Sequence, residues 1–193
     1  MNIVIIDYGA GNTKSVQFAC NRLGYEPILS DNPDLIKGAD KVIFPGVGHA
    51  GNAMEILLKS GLDILIPTLT QPVLGICLGM QLLCNATEEG STKGLGVFDV
   101  TVKRFSNLVK VPQMGWNSIF YLESELFEDI KNDAYMYLVH SYYAELCEQT
   151  IAQTNYGLTY SSALKKDNFY GVQFHPEKSS LAGADVLRNF LNL

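Results

Sequence analysis

The sequence predicts a single α/β domain over residues 1–193, with a mixed, mainly parallel central sheet flanked by helices and an added antiparallel β region. Three observations point there. Strand-like and helix-like patterns alternate through the first half, the arrangement of a parallel sheet covered on both faces. After residue 96 the pattern changes to short runs rich in Val, Tyr, Phe and Thr, separated by Gly, Asn and Asp, which read as antiparallel strands. And 193 residues, 47% hydrophobic and 18% charged, suit one globular domain large enough to bury a core without staples.

Taken in order, the apolar run at 2–7 reads as a first strand, followed by a glycine turn and a helix over 13–23 with Val16, Phe18, Ala19 and Leu23 at helical spacing, stopped by Gly24. Pro27-Ile28-Leu29 and Val42-Ile43-Phe44 are short strands, 53–59 and 62–69 helices, and 73–76 a buried strand feeding a helix that starts at Met80-Gln81-Leu82-Leu83. Residues 96–121 and 134–175 hold the antiparallel strands, and 182–193 closes as a helix. A ligand crevice is expected beyond the carboxyl ends of the parallel strands.

Composition excludes several classes. The net charge is −6 and the densest basic pairs are only Lys103-Arg104 and Lys165-Lys166, so no footprint for a phosphate backbone is present. The first residues lack the positive start of a secretory signal, and no apolar stretch approaches the ~20 residues of a membrane helix. Cys20, Cys77, Cys84 and Cys147 form no C-x-x-C pair and have no histidine company, so a reduced, cytoplasmic setting is expected, with no metal and no cofactor. Gly9-Ala10-Gly11 follows a strand as a dinucleotide fingerprint would, but Lys14 stands at the third glycine position and the segment reads as a plain βα turn.

Chemistry concentrates in two segments. In Val73-Leu74-Gly75-Ile76-Cys77-Leu78-Gly79-Met80-Gln81 a cysteine sits where a buried strand turns into a helix, with a glycine two residues to either side. Such an elbow displays a nucleophile, and the unpaired N–H groups of the helix start favour thiolate, the reactive form. In Gly171-Val172-Gln173-Phe174-His175-Pro176-Glu177, Pro176 biases the residue before it toward extended geometry, which turns positions i and i+2 to one side. Glu177 then fixes one imidazole nitrogen of His175 and leaves the other to exchange a proton with the thiol.

Gly75-Ile76-Cys77-Leu78-Gly79 followed about one hundred residues later by Phe174-His175-Pro176-Glu177 resembles the class I (triad) glutamine amidotransferases. Further segments look like one branch of that family, the glutaminase subunits of imidazole glycerol phosphate synthases: Ile6-Asp7-Tyr8-Gly9-Ala10-Gly11-Asn12, Pro45-Gly46-Val47-Gly48, Val111-Pro112-Gln113-Met114-Gly115-Trp116-Asn117, Val139-His140-Ser141-Tyr142-Tyr143 and His175-Pro176-Glu177-Lys178-Ser179. The likeness covers the whole chain. Gln113 departs from it, standing where many relatives have His.

The resemblance implies a glutaminase of the family's fold, with Cys77, His175 and Glu177 catalytic and glutamine hydrolysed through a γ-glutamyl thioester. The main-chain N–H groups of Leu78 and Val47 would form the oxyanion hole, the flanking glycines giving the Val47 peptide its freedom. Gly46, Gly48, Gln81, Glu89, His140, Ser141 and Tyr142 would surround the substrate, Glu89 pairing with its α-ammonium and the main chain at 140–142 lying near its carboxylate. It further implies a partner, the (β/α)8 cyclase/synthase subunit, met as a heterodimer through Asn12, Trp116 and Lys178, which would take up the ammonia in histidine biosynthesis. His49 carries no assigned role. The glutaminase of pyridoxal phosphate synthase would differ in the glycine turn and around Trp116 and Tyr142. A cysteine α/β-hydrolase would place its acid before its histidine, and a non-catalytic scaffold would not need Cys77, His175 and Glu177 together.

Overall fold

Strand pairing begins with β1 (Ile3–Ile6), which lies parallel to both β2 (Ile28–Ser30) and β3 (Lys41–Gly46); β3 pairs in parallel with β4 (Val73–Cys77). The computed structural model describes all 193 residues. Between these strands run α1 (Thr13–Arg22), α2 (Pro33–Lys37), α3 (Ala50–Ser60) and α4 (Leu62–Leu65), and β4 leads directly into α5 (Leu78–Leu83). Next come β5 (Cys84–Thr87), β6 (Thr92–Lys93), β7 (Phe98–Arg104), β8 (Gln113–Ile119) and β9 (Ala134–His140). The chain ends with β10 (Tyr142–Ala144), β11 (Thr150–Asn155), β12 (Thr159–Lys166), β13 (Phe169–Val172) and α6 (Ser180–Asn192).

The large sheet has the order β2-β1-β3-β4-β13-β12-β10-β7-β5-β6, with β11 added alongside β12. Its first five strands are parallel, and the direction reverses at β12. β8 and β9 form a separate antiparallel ribbon. This is the mixed, mainly parallel α/β domain with an added antiparallel region that the sequence predicts. Alternate residues of the parallel strands serve two cores. Val4, Ile6, Val42 and Phe44 face α3, α4 and α5, whereas Ile3, Ile5, Ile43 and Ile76 face α1 and α6. Burial on both faces explains why these strands read as continuous apolar runs.

Several expectations change in detail. β13 falls in the region read as antiparallel, yet it completes the parallel core beside β4, because the chain returns through the sheet centre. Phe18 lies outside the core and is more than half exposed; Thr13, Val16, Ala19 and Cys20 form the buried face of α1. α3 begins at Ala50, three residues early, because the Nδ1 of exposed His49 accepts the Gly51 N–H and caps the helix. Pro67 cuts the helix expected at 62–69 into α4 and a 3-10 turn at Ile66–Thr68. α2, capped by Asn32, and the β5 and β6 strands had no counterpart in the sequence reading. No helix is long and apolar enough to cross a membrane.

Candidate active site

The carboxyl ends of β3, β4 and β13 lie side by side, with Gly46 opposite Cys77 and Val172 opposite Ile76. A crevice opens beyond them, as the doubly wound architecture requires. Cys77 ends β4 with φ 54° and ψ −111°, backbone values that cost a side-chain-bearing residue about 1–3 kcal/mol and persist only where the surroundings enforce them. Here the enforcement is steric. A Cβ added to Gly79 would stand 1.9 Å from the Phe44 carbonyl oxygen, and one added to Gly75 would stand 2.8 Å from the Met80 nitrogen. Helix α5 therefore rests directly on the backbone of β3 and β4, and its first residue, Leu78, carries an N–H without a helical acceptor.

The second segment is anchored through β9. The His175 N–H donates to the Tyr137 carbonyl at 2.9 Å, and the Tyr137 N–H donates to Ser179 Oγ at 2.9 Å, while that hydroxyl donates to the His175 carbonyl at 2.7 Å. Glu177 leaves a 3-10 turn at Pro176–Lys178 and meets His175 Nδ1 through Oε1 at 2.9 Å, both side chains being buried. Burial presses the imidazole pKa down, but interactions with Cys77 and Glu177 outweigh it and hold it at about 10. His175 therefore carries a proton at neutral pH, and its Nε2 has no hydrogen-bond partner. A buried N–H donor beside a thiol is what an amide nitrogen needs in order to leave as ammonia.

Cys77 and His175 share a cavity of about 320 Å3 with Val47, Gly48, Leu78, Gln81, Glu89, His140, Ser141 and Tyr142. That is room for an amino-acid-sized ligand. Pro112 and Val139 complete the lining. Gly46 is not part of it: it packs behind the elbow, where a Cβ would meet the Gly79 nitrogen at 2.7 Å. Larger hollows exist elsewhere. One of about 500 Å3, between α3 and the β6 strand, contains none of these groups.

Around the cavity, polar groups are fixed from behind. Glu89 Oε2 accepts the Ala50 N–H at 2.8 Å. Burial pushes the His140 pKa down to about 4, so the ring is neutral, and Nδ1 donates to the Tyr142 carbonyl at 2.6 Å while Nε2 meets the Tyr160 hydroxyl at 3.2 Å. Gln81 Nε2 donates to the same carbonyl at 3.0 Å. The Val47 N–H donates to the Ala10 carbonyl at 3.0 Å, so it is not offered to the cavity. Gln173 was not singled out from the sequence, although its Nε2 contacts Cys77 Sγ at 3.7 Å; a polar residue inside a strand-like run gives no local sign of that contact.

Trp116 is half-exposed on the β8 strand and meets Tyr137 edge to face, with centroids 6.1 Å apart; Lys178 Nζ lies 5.9 Å from the centre of the same ring. Both residues border a hollow of about 540 Å3 between α1, the 3-10 turn and α6, which also reaches Glu177. Asn12 stands apart from that hollow, at the N-terminus of α1, where its side chain makes no capping bond.

A family model, glutamine amidotransferase class-I, matches residues 4–193. A protein of Bacteroides fragilis named imidazole glycerol phosphate synthase subunit HisH is 52% identical over all of both chains. Its namesake in Escherichia coli K12 is 48% identical, again over all of both. Among solved structures, a glutamine amidotransferase superposes with a TM-score of 0.78 at 16% identity, covering 100% of this chain and 98% of that one. Another glutamine amidotransferase, from Thermotoga maritima, gives 0.66 at 16% identity, covering 100% and 83%. Those two likenesses speak to the fold, while the family model and the full-length relatives speak to descent: the chain belongs to the class-I glutamine amidotransferase family.

Proposed function

We propose that this chain is the glutaminase subunit of an imidazole glycerol phosphate synthase, hydrolysing L-glutamine to L-glutamate and ammonia for a separate (β/α)8 subunit. The observation that carries the hydrolytic part is the strained Cys77 elbow facing the same cavity as the buried His175–Glu177 pair. Relatives of 48–52% identity bearing that subunit name support the narrower assignment. Cys77 Sγ attacks the side-chain amide carbon, and the carbonyl oxygen becomes an oxyanion met by the Leu78 N–H. His175 Nε2 gives its proton to the nitrogen, the C–N bond breaks, and ammonia leaves a γ-glutamyl thioester. Water, deprotonated by the now neutral His175, adds to the thioester and expels the Cys77 thiolate with glutamate. Glu177 orients the imidazole. Glu89 faces the substrate ammonium, and the main chain at 140–142 its carboxylate.

The second oxyanion donor is the Val47 N–H, which in this chain is held by Ala10. Loss of one such donor costs roughly 10² to 10³ in turnover, so the lone subunit idles until the partner and its ligand favour the productive peptide orientation. Contact is made through Trp116, Lys178 and Asn12, as a cytoplasmic heterodimer of which this one domain is half. Glutamate release measured with and without the liganded barrel subunit tests this. We expect stimulation of roughly 10² to 10³-fold. Full activity in the lone chain, unchanged by the barrel, would overturn it.

A further inference from the structure

Gln173 is fully buried one step beyond β13, with its main-chain N–H bound to the Ser162 carbonyl at 2.8 Å. The orientation of its side-chain amide is forced by its neighbours. The Tyr142 carbonyl accepts from Gln81 Nε2 at 3.0 Å, which places the Gln81 nitrogen, and not its oxygen, toward the interior. The other Gln81 N–H then needs an acceptor and finds Gln173 Oε1 at 2.8 Å. Reversing the Gln173 amide would set donor against donor, and reversing the Gln81 amide would set its oxygen against two acceptors, in a dry interior where an unmade hydrogen bond costs about 1–3 kcal/mol. What Gln173 presents to Cys77 is therefore an N–H, at 3.7 Å from Sγ, while the Val139 carbonyl lies 4.0 Å from the sulfur.

We infer that Gln173 is a positioning residue for the nucleophile, its buried amide N–H steadying the thiolate of Cys77 and aiming Sγ, with Gln81 acting as the lock that keeps the donor turned to the sulfur. A carbonyl facing the sulfur, as Val139 does, can stabilise only a thiol; an amide N–H favours the anion. The other ionisable groups near Cys77 come from separate elements: His175 after β13, backed by Glu177 at its Nδ1, Tyr8 after β1, His140 at the end of β9 and Glu89 across the cavity. Of these only His175 carries a positive charge, and it also serves the leaving nitrogen. Gln173 is the neutral donor at the sulfur that stays in place when the imidazolium gives up its proton.

The inference rests on the glutaminase reading of the site, but its test reads the thiol directly. The rate of Cys77 alkylation by iodoacetamide, followed by mass spectrometry of its peptide, is measured against pH in the full chain and in Gln173→Met and Gln173→Glu, with thermal melting as the control for folding. Gln173→Met keeps the volume and removes the donor. Its alkylation midpoint is expected to rise by about one pH unit, the rate below the midpoint to fall about tenfold, and the curves to converge at high pH. Gln173→Glu keeps an acceptor for Gln81 and should raise the midpoint at least as far, so the experiment survives if the Met variant does not fold. An unchanged midpoint in a folded variant would overturn the role. Absent glutamine turnover in the wild-type complex would instead overturn the proposed function, leaving the alkylation comparison intact.

Discussion

The β4–α5 elbow and the turn after β3 are neighbours, Cys77 opposite Gly46, yet they are built on different terms. At the elbow, Gly75 and Gly79 are jammed against backbone, and Cys77 holds φ 54° because nothing around it can move aside. In the turn, Gly48 has φ 98° with open space where a Cβ would be, Val47 is exposed, and its N–H is held by the Ala10 carbonyl. A single such bond contributes on the order of 1 kcal/mol. The proposed nucleophile is thus placed by over-determination and the proposed oxyanion donor by a weak latch. A site can be rigid where position matters and loose where timing matters.

The largest effect that would sharpen this contrast is on the rigid side. Cys77→Ala should lower glutamate release in the presence of the partner by about 10⁴ or more, and His175→Asn by about 10² to 10⁴, with melting curves showing both proteins folded. Turnover in Cys77→Ala within tenfold of wild type would show that the elbow is not the reaction centre. Next in size is a matched pair of substitutions. Gly79→Ala drives a methyl into the Phe44 carbonyl and should cost about 3 kcal/mol or more in urea unfolding, whereas Gly48→Ala meets only backbone strain and should cost about 1 kcal/mol. Gly48→Ala should nonetheless change the ratio of partner-stimulated to unstimulated activity. Equal costs at the two glycines would erase the distinction.

The smallest effect is in the pH dependence of stability. A histidine raised from about 6.5 to about 10 on folding contributes stability that is complete below about pH 6.5 and is lost as pH rises through about 10. Cys77 is one cause of that rise, so in Cys77→Ala the contribution should be smaller and should be exhausted at a lower pH. Tm recorded from pH 6 to 10 should show the gap between the two proteins narrowing by about 3 °C toward the alkaline end, and parallel curves would uncouple the thiol from the imidazole.

How much of this was legible follows from where each constraint is stored. Elbow and dyad were readable because their logic is local: a glycine two residues either side of Cys77, and a proline between His175 and Glu177. The parallel core was readable from runs such as Val42-Ile43-Phe44, since burial on both faces leaves a continuous apolar signature. α5 was readable as a helix through Met80-Gln81-Leu82-Leu83, but it begins two residues earlier, at Leu78, and stops at Leu83, because Cys84 turns extended to pair with Phe98, a contact made across the fold. The place of β13 beside β4 is likewise a matter of which edge was free. The grip of Ala10 on Val47 and the approach of Gln173 to Cys77 join distant segments through single polar atoms, and such pairs leave no periodicity to detect.

Tyr137 ties the exposed ribbon to the buried dyad, since both its N–H and its carbonyl are bonded to the segment that carries His175, while its ring meets Trp116 and Lys178. Beyond that mooring, the bridge between Phe120 and Gln153 ties the far end of β8 to the large sheet. The ribbon is thus moored on two sides, to the dyad segment through Tyr137 and to β11 through Asn117 and Ser118. Trp116 on its outer face is therefore one residue away from the imidazole segment: the Tyr137 ring meets the indole, and the Tyr137 backbone holds the stretch that carries His175. On the proposed function, a partner seated on Trp116 would therefore bear on the same residue that fixes the proton donor.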